Sequence, residues 1–301
     1  MAGVMTEKKL AKAIAEGYGS GRDERYQSWI RIRRNLHSPV SNLHSLCVPL
    51  YHRPLQLLSG LEFGAANVAL WLGAAEIREQ HPLWPFTHDH PAKGRHPDLD
   101  RSLGRAPGLL EIAKHGGIDH GVYPGTQIPF VATIDFTLSI PPWHRAPLVH
   151  WSCKPRALLD SAHNRSRMQE RIQMERLYSA AVGASHVLID GTQFTSLLVS
   201  NLDWLRPLRS ELQTLSRARL QDFGGYLMEE AETDSLGHAV DHAGRLVRLN
   251  SDGANRHFRA AAWLGIIDID PSSHIVMSKP LKRDSAGLRL RLQRELLGEP
   301  R

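Results

Sequence analysis

The chain has 301 residues, of which 42% are hydrophobic and 23% are charged, and its formal net charge is +6. This composition is typical of a globular protein and excludes a disordered or fibrous chain, while the length favours two domains. The longest apolar run, residues 65–75, is too short to cross a bilayer, so no membrane partner is expected. Two cysteines, Cys47 and Cys153, argue for a reducing cytoplasm of bacterial type and against a disulfide framework.

The N-terminal region, residues 1–40, is predicted to form a basic helix followed by an arm. The helix is expected over residues 6–16. The Gly-rich segment 17–21 lacks the lysine and Ser/Thr ending of a phosphate-binding loop, so it is interpreted as a linker. Residues 1–35 carry eight Lys and Arg against four acidic residues, and residues 279–301 carry seven against three. Basic ends suit a polyanion partner, and an ordinary solvated surface explains them equally well.

Residues 41–206 are predicted to form the larger domain, and its first helix begins with a recognisable cap. Ser59 and Glu62 have the spacing of a capping box, and apolar residues follow at helical spacing. The next segment, EIREQHPL, is predicted to be extended. Glu62 therefore has a structural interpretation as a capping residue, beside any functional one.

Residues 84–117 are rich in Pro, His, Gly and Asp and are predicted to form a long loop insertion. His88 and His90 are ligand types suited to zinc, and two histidines one residue apart can share a metal on a strand. A zinc hydrolase is thus an alternative interpretation. The segment lacks matching cysteines or a distant His pair, which favours a polar loop.

Residues 129–155 are predicted to form a β-hairpin whose two faces differ in chemistry. Side chains alternate along a strand, so Asp135 on the first strand and Ser152 and Lys154 on the second are expected on one face. A carboxylate beside a lysine on adjacent strands is the layout of a metal-dependent nuclease, and a cross-strand ion pair is the alternative. The opposite face of the first strand is predicted to be apolar throughout: Phe130, Ala132, Ile134, Phe136 and Leu138.

Three further elements complete the larger domain. A helix is predicted over residues 164–182, a short strand at HVLID, and a second helix over 195–206. The order of helices and strands predicts an α/β fold, a mixed sheet flanked by helices. The helix over 164–182 has a basic side that could contact DNA phosphates or simply face solvent: Arg165, Arg167, Arg171 and Arg176.

Residues 207–301 are predicted to form a winged-helix-like α+β domain. Helices are expected over 209–231, 235–242 and 252–264, followed by a β-hairpin in IIDID–PSS–HIVMS. The recognition helix would carry Asn255, Arg256 and Arg259.

Several motifs, taken in order, give the chain a family resemblance. From about Ala11 to Leu205 it resembles the TnsA endonuclease subunit of heteromeric, Tn-seven-like TnsA–TnsB transposases. The motifs are LLSGLEFGAANVALWLGAAEIREQHPL, GIDHGVYPG, TIDF, WSCKP, MQERIQMERLY and HVLIDGTQF.

The resemblance implies a restriction-endonuclease-like PD-(D/E)xK core and a set of site residues. Glu62 and Asp135 match the metal-binding acids, with Mg²⁺ as the ion and Mn²⁺ as a substitute, and the backbone carbonyl of Cys153 is a further candidate ligand. Lys154 matches the catalytic lysine. The family pattern carries Glu or Gln two residues earlier, whereas this chain has Ser152, a weaker metal ligand.

The resemblance also implies a function and partners. The family cleaves the 5′ ends of a transposon in double-stranded DNA, together with a TnsB-like DDE transposase and a TnsC-like AAA+ ATPase regulator. A cytoplasmic, nucleoid-associated location in bacteria goes with that activity. Because Ser152 departs from the pattern, the alternative is a catalytically weakened scaffold that binds DNA, TnsB and TnsC without cutting.

Overall fold

A computed structural model describes residues 4–32, 42–141, 148–161, 165–284 and 287–298. The helices are α1 (Glu7–Ala15), α2 (Gly60–Trp71), α3 (Pro97–Ser102), α4 (Leu109–His115), α5 (Arg156–Asp160), α6 (Arg165–Ala181), α7 (Ser196–Leu205), α8 (Arg209–Thr214), α9 (Arg217–Glu230), α10 (Leu236–Leu246), α11 (Ser251–Trp263) and α12 (Leu288–Leu297). The strands are β1 (His44–Leu46), β2 (Leu55–Leu57), β3 (Glu76–Leu83), β4 (His88–Asp89), β5 (Arg105–Ala106), β6 (Ala132–Ser139), β7 (Leu148–Cys153) and β8 (Ser185–Ile189).

A mixed four-stranded sheet in the order β3-β6-β7-β8 forms the centre of an α/β fold. β6 pairs antiparallel with both β3 and β7, and β8 runs parallel to β7. Helices α2 and α6 both contact β7, and they lie in different hydrophobic clusters. The predicted mixed sheet flanked by helices is therefore confirmed, and so is the hairpin of β6 and β7, whose turn lies outside the described residues.

The single apolar face predicted for β6 is wrong. Phe136 and Leu138 belong to the main core with α2, whereas Ile134 packs in a second cluster with Met174 and Tyr178 of α6. In the register of β3 and β6, Gln80 falls opposite Asp135, between the pairs Glu79–Phe136 and His81–Ile134. Gln80 has φ of 49° inside the strand. This left-handed conformation accompanies the break in alternation.

Residues 84–117 are more structured than a long loop. They contain α3, α4 and the two-stranded sheet of β4 and β5. Helix α4 packs against α6, and Leu109, Ile112 and Ala113 are buried in the second cluster. The prediction failed because the apolar residues of this short helix are few and lie among Pro, Gly and His.

The C-terminal helices are present, but the predicted β-hairpin is wrong. Within residues 264–284 the structure has no strand. Asp270 accepts hydrogen bonds from the backbone N–H of Ser272 and the hydroxyl of Ser273, which closes a turn. The arm after the turn bonds to the start of α10, where the Met277 carbonyl accepts from the Gly237 N–H. It also bonds to the end of α9, where the Leu281 N–H donates to the Ala231 carbonyl. The β-hairpin that would form the wing of a winged-helix domain is therefore absent from residues 264–284.

Helix α12 was not predicted, and it joins the C-terminal helices to the central sheet. Leu292 and Leu296 are buried in the main core, which runs without a break from α2 and β7 to α9, α10 and α11. The Trp151 indole of β7 donates a hydrogen bond of 2.8 Å to the Leu296 carbonyl. In the part of the chain that the structure describes, no helix is long and apolar enough to span a bilayer.

Candidate active site

The N-terminus of α2 positions Glu62. Ser59 caps the helix, and its hydroxyl oxygen accepts from the Glu62 N–H at 3.2 Å. The Glu62 carboxylate accepts from the Ser59 hydroxyl and from the Leu58 N–H. The predicted helix start is therefore confirmed. The side chain is 5% exposed, so the cap holds a carboxylate in the interior at a fixed place.

Gln80 links Glu62 to the sheet, and sequence reasoning missed it. Its side-chain amide donates to Glu62 Oε2 at 3.2 Å, and its amide oxygen accepts from the Thr133 hydroxyl. The strained backbone of Gln80 thus coincides with the place where Glu62 meets the sheet. Backbone strain of this kind clusters at functional sites.

Asp135 and Lys154 meet at the end of the hairpin, as predicted. Lys154 Nζ lies 2.6 Å from Asp135 Oδ2, and the same oxygen accepts from the Cys153 N–H at 2.7 Å. The two side chains are 12% and 20% exposed. The main-chain group of Cys153 that contacts the carboxylate is thus its N–H, whereas the carbonyl was the expected metal ligand.

The charges of these three side chains are coupled. Burial, and then the charge of Asp135, raise the pKa of Glu62 from 4.5 to about 7. Burial lowers the pKa of Lys154, but the carboxylates of Asp135 and Glu175 outweigh it and hold that pKa above its usual value. Two mutually repelling carboxylates and one ammonium thus share a small, poorly solvated volume.

Ser152 forms its hydrogen bonds with α6 and β8. It is fully buried, and its hydroxyl contacts Glu175 Oε2 of α6 and lies 2.8 Å from His186 Nε2 of β8. Glu175 is itself buried, and sequence reasoning missed it because α6 is dominated by core residues and arginines. The structure thus brings Glu62, Asp135 and Lys154 together and ties Ser152 to α6.

Glu62 and Asp135 supply carboxylate oxygens, which are the type of ligand that Mg²⁺ prefers. Mg²⁺ is commonly held by one or two carboxylates and keeps several waters. A divalent cation would also offset the burial and the repulsion by Asp135 that together raise the pKa of Glu62. Among the described residues, no group of three or more His, Cys, Asp and Glu is placed to hold a metal, so two carboxylates are what these residues offer.

The zinc alternative is not supported by the geometry of His88 and His90. His88 lies 2.9 Å from the Phe86 carbonyl through one ring nitrogen and 2.8 Å from the Tyr178 hydroxyl through the other. His90 likewise engages both nitrogens, with the Val182 carbonyl and the Ala92 N–H. Both rings are therefore committed to holding the segment against α6.

The residues expected to contact DNA differ in their exposure and in the contacts that their side chains already make. Arg171 and Arg176 of α6 are exposed, whereas Arg167 bonds to the Asp119 carbonyl and to Glu170. The Arg165 side chain lies outside the described residues. On α11, Arg259 forms an ion pair with Glu211 of α8, while Asn255 and Arg256 bond to their own helix.

Comparison with protein-family models and with curated protein sequences gave no match.

Proposed function

We propose that this protein is a metal-dependent DNA endonuclease that acts as a TnsA-like transposase subunit and cleaves the 5′ ends of a transposon. The observation that carries the proposal is the contact between Lys154 and Asp135 beside buried Glu62. An incidental cross-strand ion pair on a sheet surface does not require a second, buried carboxylate from a helix beside it.

The protein residues divide the work of phosphodiester hydrolysis between them. Glu62 and Asp135 would hold Mg²⁺, or Mn²⁺ in its place. When bound, such an ion neutralises charge on the scissile phosphate and lowers the pKa of its water. Gln80 and the cap of α2 fix the Glu62 carboxylate, so that little reorganisation is needed.

Lys154 acts as a cation in this scheme. Because its pKa lies above the usual value, the side chain is an ammonium at neutral pH and has no lone pair to take a proton. Its role is to stabilise negative charge that develops on the phosphate or the leaving oxygen.

The partners that go with this activity are a TnsB-like DDE transposase and a TnsC-like AAA+ ATPase. The protein would act on DNA in the bacterial nucleoid. The test is nicking of transposon-end DNA by the reconstituted complex with Mg²⁺ or Mn²⁺. Wild type should cut, Asp135→Ala should not, and Asp222→Ala, at an exposed aspartate of α9, should cut as wild type does.

The scaffold is the second candidate, favoured by the engagement of Ser152 with Glu175 and His186. In that case the wild-type complex assembles on DNA but leaves both strands intact with either metal. Assembly without cleavage would thus reject the endonuclease and retain the scaffold.

A further inference from the structure

A cavity of about 740 Å³ lies at the outer edge of β3, on the open side of the sheet. Its walls are residues 19–25 of the N-terminal arm, the end of β3, and residues 88–94. The Gly-rich segment and the His-rich segment, each unremarkable as a motif in the sequence, thus face the same space.

The buried charges beside this cavity do not balance. Arg22 contacts Glu76 Oε2, and Arg78 Nε lies 3.9 Å from that oxygen. Glu76 is fully buried and Arg78 is 4% exposed. The neighbouring carboxylate, Glu79, is matched by Arg53 at 2.9 Å. Two guanidinium groups therefore share one carboxylate, and their other partners include the neutral carbonyls of Pro91 and Lys93. One positive charge is thus in excess beside the cavity, and a charge without a counter-charge in a poorly solvated place is costly.

Three buried nitrogen atoms of residues that line the cavity also lack partners among the described residues. They are Nε of Arg22, Nε of Arg78 and Nδ1 of His81. His81 is 6% exposed, and its Nε2 lies 3.1 Å from Arg78 Nη1. Guanidinium nitrogens only donate, so His81 Nε2 accepts and, in the neutral ring, Nδ1 carries the hydrogen. All three atoms are donors, so they call for a ligand that only accepts.

The glycines of the arm allow it to form a tight wall. Gly19 has φ of 73°, and a Cβ there would lie 2.4 Å from Cγ of Pro82. The arm therefore packs directly on the end of β3. This segment is an ordered wall, whereas the sequence indicated a linker.

The acidic residues of the cavity are already paired. Glu24 lies 3.9 Å from Arg209, Asp23 lies 3.6 Å from Arg95, and Asp89 lies 3.2 Å from Lys93. They leave the excess charge of Arg22 and Arg78 uncompensated.

We propose that this cavity binds a phosphate group through Arg22, Arg78 and His81. A phosphate is acceptor-only and anionic, and guanidinium groups match its oxygens. The volume exceeds that of phosphate alone, and Trp84 lines it, so the group belongs to a nucleotide or to a DNA strand. A nucleotide and a DNA strand both carry this phosphate chemistry, and the binding probes distinguish between the two. The proposal is independent of the endonuclease activity.

The test is calorimetric titration of the full chain in EDTA, which removes metal-dependent binding at the candidate active site. The probes are inorganic phosphate, deoxyadenosine 5′-monophosphate, and one oligonucleotide with and without a 5′-phosphate. We expect one-to-one binding of at least one phosphate-bearing probe. Preference for the mononucleotide identifies a small-molecule site, and preference for the phosphorylated oligonucleotide identifies a DNA end.

Two variants remove donors, and one serves as a control. Arg78→Met and His81→Phe should each weaken binding about tenfold or more, since each takes a charged or buried donor from the ligand. Lys114→Ala, at an exposed lysine of α4 outside the cavity, should leave it unchanged. If Arg78→Met does not fold by circular dichroism, His81→Phe decides. Absence of binding by all probes at millimolar concentration, or wild-type affinity in a folded donor variant, would overturn the proposal.

Discussion

The buried carboxyl of Glu62 predicts a specific dependence of stability on pH. Its pKa rises from 4.5 to about 7 on folding, and one pKa unit corresponds to about 1.4 kcal/mol. Ionising Glu62 in the metal-free folded protein therefore costs about 3 kcal/mol more than in the unfolded chain. Because the folded-state pKa is the higher one, this contribution favours folding fully below pH 4.5, and is lost as the pH rises through about 7.

Glu62→Gln removes this titration and keeps the size of the side chain. The free energy of unfolding should be measured by urea denaturation in EDTA, between about pH 4 and pH 8. From the lower to the higher pH, the variant should gain about 3 kcal/mol relative to wild type. Any constant difference, such as altered hydrogen bonds to Leu58, cancels in this comparison.

Glu111→Gln, at an exposed glutamate of α4, is the matched control and should show no such gain. A difference between Glu62→Gln and wild type that does not vary with pH would refute the reasoning. It would mean that the carboxyl ionises in the folded protein as easily as in water.

Three further predictions concern the same region. Mn²⁺ affinity should fall about tenfold per pH unit below about pH 7, because Glu62 must lose a proton to bind the ion there. Calorimetric titration in two buffers of different ionisation enthalpy measures the released proton. An Mn²⁺ affinity that does not change with pH argues against Glu62 as a ligand. Lys154→Met should destabilise the protein by about 2 kcal/mol in urea, since it leaves the Asp135 carboxylate without its cation, and Lys154→Arg should cost less. Trp151→Phe should cost about 2 kcal/mol by orphaning the Leu296 carbonyl; an unchanged urea midpoint would contradict that contact.

The pairing of Asp135 with Lys154 could be predicted because the two residues lie on or next to strands that follow each other in the sequence and pair antiparallel. Side-chain alternation along the two strands predicted that these side chains lie near each other, and in the structure they are 2.6 Å apart. Ile134 shows the limit of that argument. Its packing against α6 depends on an irregular backbone at the Gln80–Asp135 position, and no residue type in TIDF or EIREQHPL signals it.

The C-terminal part was harder to predict for a different reason. Residues near Ile267 alternate as in a hairpin, but the Ile267 N–H bonds back to the Ala261 carbonyl of α11. The carbonyls of Met277 and Lys279 accept from the start of α10, which is distant in the sequence. Helix α12 carries arginines between its leucines, and only the tertiary core shows which side is buried. Glu175 and Gln80 were missed for the same reason, since their roles arise from elements distant along the chain.

The indole of Trp151 has a mechanical consequence. It ties α12 to β7 three residues before Lys154, and the same core continues into α9, α10 and α11. A protein that docks on these helices and shifts α12 would therefore pull on the strand that aims the Lys154 ammonium at Asp135. Binding at the C-terminal helices would thus reach the candidate active site through this hydrogen bond and the shared core.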